Sequence, residues 1–187
     1  MTGALDHNPT ERNFLSPNNF KFLLRRAPTL EFFVQKVNLP GVSSAPAIQA
    51  SPFITRPMSG GPLEYDPLNV VFKVSENLSN YLEIYNWLHG STHSTNLDEY
   101  GRLKYQASMS PKGLTSDIIL TILNSSKEPN FDIIYHNAFP TALGEIEFNS
   151  DSDGVEYPVC TARFSYQLFE LVNLKAATPD PNNILDQ

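Results

Sequence analysis

The sequence holds one cysteine, Cys160, and one tryptophan, Trp87, in 187 residues. A single thiol excludes an internal disulfide framework and any metal site built from several cysteines. No apolar run approaches the roughly 20 residues a membrane-spanning helix needs. The opening stretch MTGALDHNPTERNF has no basic-then-apolar signal pattern, so the expectation is a chain made in the cytosol. Basic residues are outnumbered by acidic ones, 13 to 20, for a net charge of −7. That balance argues against coating nucleic acid through a broad basic patch, and it suits a surface that must not adhere to a polyanion.

Catalytic groupings are missing as well. His89 and His93 are four apart, but Gly90 stands between them and no third ligand is near. Asn149, Asp151, Asp153 and Gly154 resemble the start of a calcium loop. That loop needs a Glu at its twelfth position, where Cys160 stands, so a hairpin turn is the better reading. Cys160 lies on the apolar side of an alternating run, where a small buried side chain is the default. Ser59, Gly60 and Gly61 are followed by no lysine and helix of the kind a phosphate loop requires. Glu31, Glu83 and Glu145 are scattered. The expectation is a non-enzyme without cofactor or metal.

What is present is organised around residues 64–90. Val70, Phe72 and Val74 alternate with Val71 and Lys73, which is strand period. Leu78, Tyr81, Leu82, Tyr85 and Leu88 then fall at helical spacing, with Ile84 and Trp87 widening the apolar face. Asn77 or Ser79 can cap the helix start, and Gly90 can end it. This is the one long helix expected, and it needs a sheet to cover its face.

The other segments alternate like strands. Residues 1–17 are polar and aperiodic, read as a flexible arm. In the next stretch Phe20, Phe22 and Leu24 share a face. After Ala27 and Pro28, Leu30, Phe32 and Val34 oppose Glu31, Phe33, Gln35 and Val37, and the two runs suggest an antiparallel hairpin. Pro46, Pro52, Pro57 and Pro62 make the following passage an extended connection, or an arm that packs on a neighbour. Residues 91–104 form a long polar loop. Ile118, Leu120 and Ile122 oppose Ile119, Thr121 and Leu123, implying burial on both sides. A strand ending at Pro140 follows, then a short one with Ile146 and Phe148 on one face. The last strand is the longest. Cys160, Ala162, Phe164, Tyr166 and Leu168 form its apolar face, and Thr161, Arg163, Ser165 and Gln167 its polar one. Residues 175–187 read as a solvated tail.

In combination these parts resemble the tail tube proteins of contractile-tailed, T-even-type bacteriophages. The likeness covers residues 18–174. It rests on Leu39-Pro40-Gly41 after the second strand, the strand and helix of 64–90, Pro140 and Leu143-Gly144 before a short strand, and the closing Phe164, Tyr166 and Phe169. The resemblance implies a mainly β (α+β) fold: an antiparallel β-sandwich or barrel flanked by one α-helix, its strands joining between subunits into a ring-shaped barrel. It implies stacked hexameric rings that form a hollow tube in the virion tail, assembled in the host cytoplasm. Expected partners are further copies of the chain, the sheath, the tape-measure protein, and baseplate and tail-terminator proteins. DNA passes through the lumen without sequence-specific binding. Thr161, Arg163, Ser165, Gln167, Glu31 and Gln35 are the expected lumen-facing residues. Phe72, Leu78, Tyr81, Leu82, Tyr85, Trp87, Leu88, Phe164 and Tyr166 are the expected core of helix and sheet. Arg163, with Arg25 and Arg26 on the first strand, counts against a uniformly negative bore. The alternative is a tube-like baseplate protein present as a single ring.

Overall fold

A computed structural model describes residues 13–50, 53–92, 114–149 and 157–174. In chain order the elements are β1 (Phe20–Leu24), α1 (Pro28–Glu31), β2 (Val34–Val37), β3 (Val42–Ser44), β4 (Ala47–Ala50), β5 (Thr55–Met58) and β6 (Leu63–Tyr65). They continue with β7 (Leu68–Lys73), α2 (Ser79–Thr92), β8 (Ser116–Leu123), β9 (Pro129–Leu143), β10 (Val159–Ser165) and β11 (Leu168–Asn173). The architecture is mainly β, antiparallel, with one long helix, as the sequence reading expected. The main sheet runs β1-β8-β9-β10-β7-β2, with β11 also paired to β9. It curls without closing into a barrel.

β9 holds the two halves together. Its first part lies between β8 and β11, and its last part pairs with β10. The turn between halves is made at Asn137, a non-glycine residue in the left-handed region with φ of 55°. Before it the buried residues are Ile133 and Tyr135; after it they are Ala138 and Pro140. The extra residue thus exchanges the faces of the strand, as a bulge does. Asn137 N–H donates to Asp117 Oδ1 at 3.0 Å, and its side-chain amide donates to Gln167 Oε1 at 2.7 Å. The strand expected to stop at Pro140 therefore runs through it. Pro140 costs no ladder bond on β8, because β8 pairs no further along β9 than Ala138. No strand forms over 144–149, where Phe148 is exposed.

The expected last strand divides at Tyr166 and Gln167. Ser165 pairs with Phe139 and Leu168 with His136, so both partners advance by three and one register continues across the break. Buried Cys160, Ala162 and Phe164 alternate with exposed Val159, Thr161 and Arg163.

The hairpin expected from the first two runs does not form. β1 pairs with β8 and β2 with β7, at opposite ends of the strand order. Pro28 opens the single turn of α1, because its fixed φ suits a first helical position and its missing N–H is not needed there. The turn shifts the side-chain parity: Leu30 is buried and Phe32 exposed, although strand spacing puts them on one face. α1 leaves the seam between β1 and β2 open.

α2 covers the sheet. Its buried residues are Asn80, Ile84, Trp87 and Gly90. Gly90 thus lies inside the helix and not at its end. Ile84 and Trp87 form the centre of the apolar stripe, not its margin, while Leu82 and Tyr85 are each 46% exposed. Leu78 precedes the helix with φ of 56° and is also largely outside the core. The helix is rotated toward its Ile84–Trp87 side because Asn80, fully buried, ties its start to β7. The Asn80 amide donates to Lys73 O at 2.8 Å, and its oxygen accepts from Ser75 N–H at 3.2 Å. Trp87 packs on Phe164 with ring centroids 6.1 Å apart and donates to Leu114 O at 2.8 Å. Phe72, Phe164, Ile84 and Trp87 belong to one buried cluster with Leu24, Leu30, Val70 and Ile133. Each such side chain contributes about 1.5–3 kcal/mol by leaving water. Tyr81 and Tyr166 pack against its edge, and Leu88 is half-buried.

Candidate functional site

The described residues present three surfaces with open polar or apolar groups. Among the described residues no group of three or more His, Cys, Asp or Glu could hold a metal ion. Of the calcium-like motif only Asn149 is described, and His93 also lies outside the described residues. The Cys160 thiol is buried and donates to Gly144 O at 3.3 Å; burial pushes its ionisation upward, so it rests as a neutral packing group.

The first surface is the outer face of β2, β7 and β10. Residues paired across strands point to the same side. Lys36 opposes Val71, Val71 opposes Thr161, Asn69 opposes Arg163, and Lys73 opposes Val159. This places Lys36, Lys73, Arg163, Thr161 and Asn69 on one face, with Ser165 beside them. The Arg163 guanidinium is held by Asn69 Oδ1 at 3.2 Å, and Thr141 Oγ1 donates to Arg163 O at 3.2 Å. Lys73 lies over the Tyr157 ring at 5.0 Å.

Of the residues expected on this surface, the structure brings together Thr161, Arg163 and Ser165. Gln167 sits at the corner, bonded to Asn137. Glu31 and Gln35 lie elsewhere. They line an open groove of about 800 Å³ at the seam, with Phe20, Leu23, Phe32 and Val34. The Glu31 carboxylate accepts the Leu24 N–H at 2.8 Å, so it closes the turn of α1. Arg26 lies over the Trp87 ring at 4.9 Å, away from the Arg163 face, and Arg25 is exposed at the turn after β1. Sequence reasoning missed Lys36 and Lys73. Lys73 shares parity with Val71 and was legible as a strand residue, but only the β7–β10 register aligns it with Arg163. Lys36 reaches the face through the irregularity between Val34 and Lys36, which alternation does not foresee.

The second surface is a pair of free strand edges. Among the described residues β2 is paired on one side only, by β7, and Phe139–Leu143 of β9 only by β10. An open edge carries unpaired donors and acceptors that another chain can meet.

The third is a ribbon. β3 pairs with β6 and β4 with β5, and every residue of these four strands is exposed. The dense prolines were read as excluding a central strand, and the ribbon agrees: Pro57 sits in β5, which has β4 as its one partner among the described residues. The strands approach so closely that a β-carbon at Gly61 would collide with the Ala45 carbonyl. Ile48, Ile54, Met58 and Leu63 are all more than half exposed, and Phe53 is 97% exposed. The base is anchored by aromatic rings. Tyr65 lies 5.9 Å from Tyr166 and 5.6 Å from Phe169, and Tyr166 lies 5.0 Å from Tyr135. The Tyr166 hydroxyl donates to Asp66 O at 2.8 Å.

No family model matches the chain. The tail tube terminator protein of Enterobacteria phage T4 is 27% identical over 170 residues, covering 85% of this chain and 89% of the phage protein. The tube-terminating cap of the anti-feeding prophage superposes with a TM-score of 0.60 at 13% identity, over 91% of this chain and 98% of the cap. A chain from the sheath–tube complex of an extracellular contractile injection system, PVC, gives 0.57 at 12% identity, over 87% and 94%. The fold is therefore the one shared by these tube and cap proteins. The proteins it resembles are structural components, not enzymes.

Proposed function

We propose that this chain is a structural protein of a contractile tail or injection system, forming the ring that ends the tail tube. The observation that carries this is the likeness to the phage terminator along 89% of that protein's length. The chain is not an enzyme. It joins rings through copies of itself, and meets the last tube ring on one side. Sheath, tape-measure and baseplate proteins are the other partners of such a tail, and the bore is the path of DNA.

The geometry supports a head-to-tail ring. The two free edges of the β9-β10-β7-β2 half differ from each other, so the edge of β2 in one copy can meet the Phe139–Leu143 edge in the next. A contact between unlike surfaces closes into a ring when the rotation allows. Pro140 removes one donor from that edge, which limits how far the pairing extends. Six copies close the barrel in this reading, and the outer face of β2, β7 and β10 lines the bore. The ribbon reaches a neighbouring copy or the next ring, and its exposed apolar side chains find cover there. A repeating tube subunit is the second reading, favoured by the fold shared with the sheath–tube complex.

Negative-stain microscopy and light scattering of the purified chain test this. Single rings that do not lengthen, and that bind the open ends of preformed tubes, are the expected result. Long tubes from the chain alone would favour the repeating subunit. A monomer at high concentration, with and without tubes, would end both readings.

A further inference from the structure

The two outer faces of the curled sheet differ in charge. On the β1-β8-β9-β11 half, Lys21 shares the face with Asp117, Asp132 and Glu170. Thr121 Oγ1 donates to Asp132 at 2.6 Å, and His136 lies 3.5 Å from Glu170 and 4.0 Å from Asp117. Lys21 pairs across to Thr121 on the same face. The outer face of β2, β7 and β10 carries Lys36, Lys73 and Arg163, and no carboxylate lies on those three strands. This occurs in a chain with net charge −7. Glu145 and Glu147, in the segment after β9, flank the Val159 end of the face.

We infer that this face is a phosphate-contact surface for duplex DNA, resting on the reading that it lines the bore. Lys36 and Lys73 stand on adjacent strands two residues out of step, about 8 Å apart by strand geometry, and Arg163 is about 12–14 Å from each. Thr161, Asn69 and Ser165 add neutral hydrogen-bonding groups between and beside them. That is the composition of backbone contact: cations and small polar groups that bind phosphate and read no sequence. Copies arranged around a bore would repeat the three cations as a band. Such a band holds DNA at rest and releases it under force, because exposed contacts to phosphate are individually weak and exchange with salt. An acidic protein segment is the competing occupant, and the polyglutamate arm of the test separates the two. Duplex DNA is favoured by the bore reading and by the spread of cations over three strands, which matches a charged rod more closely than a single chain.

The full chain is titrated into a short fluorescent duplex at several salt concentrations, and its mass is measured alongside. The wild type should bind at low salt, with affinity falling steeply as salt rises. The triple variant Lys36→Gln, Lys73→Gln, Arg163→Gln should bind at least about tenfold more weakly, with the log–log salt slope reduced by about 0.9 per lost contact. Lys21→Gln, on the other outer face, should stay within about twofold of the wild type. The proposal is overturned if the wild type ignores DNA at low salt, if the triple variant keeps the wild-type affinity and slope, or if polyglutamate binds this face and duplex DNA does not. Rings that fail to bind DNA sink the phosphate face and leave the ring reading standing. DNA binding through these three cations by a protein that never forms rings does the reverse.

Discussion

The body of the molecule and its ribbon are made of the same antiparallel strands, and they differ in what the side chains touch. In the body Leu24, Leu68, Val70, Phe72, Ile118, Ile133 and Phe164 have no exposed surface. In the ribbon Ile48, Phe53, Ile54, Met58 and Leu63 keep most of theirs. A two-stranded ribbon is marginal by itself in water. Backbone pairing therefore does not separate the regions; burial does. The body holds the buried apolar area, and the ribbon holds apolar area that the described residues leave open. Three experiments test that division.

The largest effect belongs to the body. Phe164 packs on Trp87 and stands opposite Leu68 in the buried cluster. Phe164→Ala leaves a cavity that close-packed neighbours fill only in part, so unfolding in urea should show a loss of about 3–5 kcal/mol. A loss under about 1 kcal/mol would mean that the α2 contact is not the centre of the body.

How much of this division was legible in the sequence depends on the range of the signal. The alternation from Cys160 to Phe164 and the helix after Val74 are local patterns, and both appear as expected. The prolines of 46–62 announced a segment outside the main sheet. Pairing is another matter. Phe22 meets Leu120 and Cys160 meets Phe72, across gaps of chain that no local pattern bridges. Parity failed at three places: the turn of α1, the irregularity between Val34 and Lys36, and the left-handed Asn137. Glu31 and Gln35 were assigned to the Arg163 face for that reason, and Lys36 was left out. The helix stripe was misplaced by a fraction of a turn because Asn80, a polar residue, is the one that binds α2 to β7. The candidate surface was therefore readable along β10 and unreadable across β2 and β7.

A middle effect is expected at the joint between body and ribbon. Tyr166 touches both, through Tyr135 and through Tyr65 and Asp66. Burial, and then the nearby Asp66 and Tyr65, push its ionisation up to about 12, and burial raises that of Tyr135 further. In the unfolded chain a tyrosine loses its proton near pH 10. The folded state therefore holds protons that the unfolded state has lost between those values. Stability from this group is whole below about pH 10 and falls away as pH rises toward 12. The melting temperature should drop across that window, and the part of the tyrosinate absorbance that Tyr166→Phe removes should rise together with unfolding, not ahead of it. If the absorbance rises first with the fold intact, the joint is more open than its contacts imply. Tyr166→Phe should soften the drop while Tyr135 keeps part of it.

The smallest effect on the subunit, and the most informative about the ribbon, comes from Ile48→Ser combined with Met58→Ser. Ile48 faces Pro57 and Met58 faces Ala47 across the two strands, so the pair removes apolar surface from both sides of the ribbon. Both side chains are more than half exposed in the isolated subunit. Surface changes of this kind stay within about 0.5 kcal/mol, so the urea midpoint should hardly move. Assembly should move instead. If a neighbouring copy or the next ring covers these side chains, the variant should stay dispersed, or bind tube ends weakly, at concentrations where the wild type associates. A large fall in the urea midpoint would show that the ribbon folds back on its own body in solution. Unchanged assembly with an unchanged midpoint would leave its apolar side chains without a role in contact between copies. Either result would break the division between body and ribbon. The expected one, a stable subunit that no longer associates, would locate the cohesion of the assembly in a segment that contributes almost nothing to the cohesion of the chain.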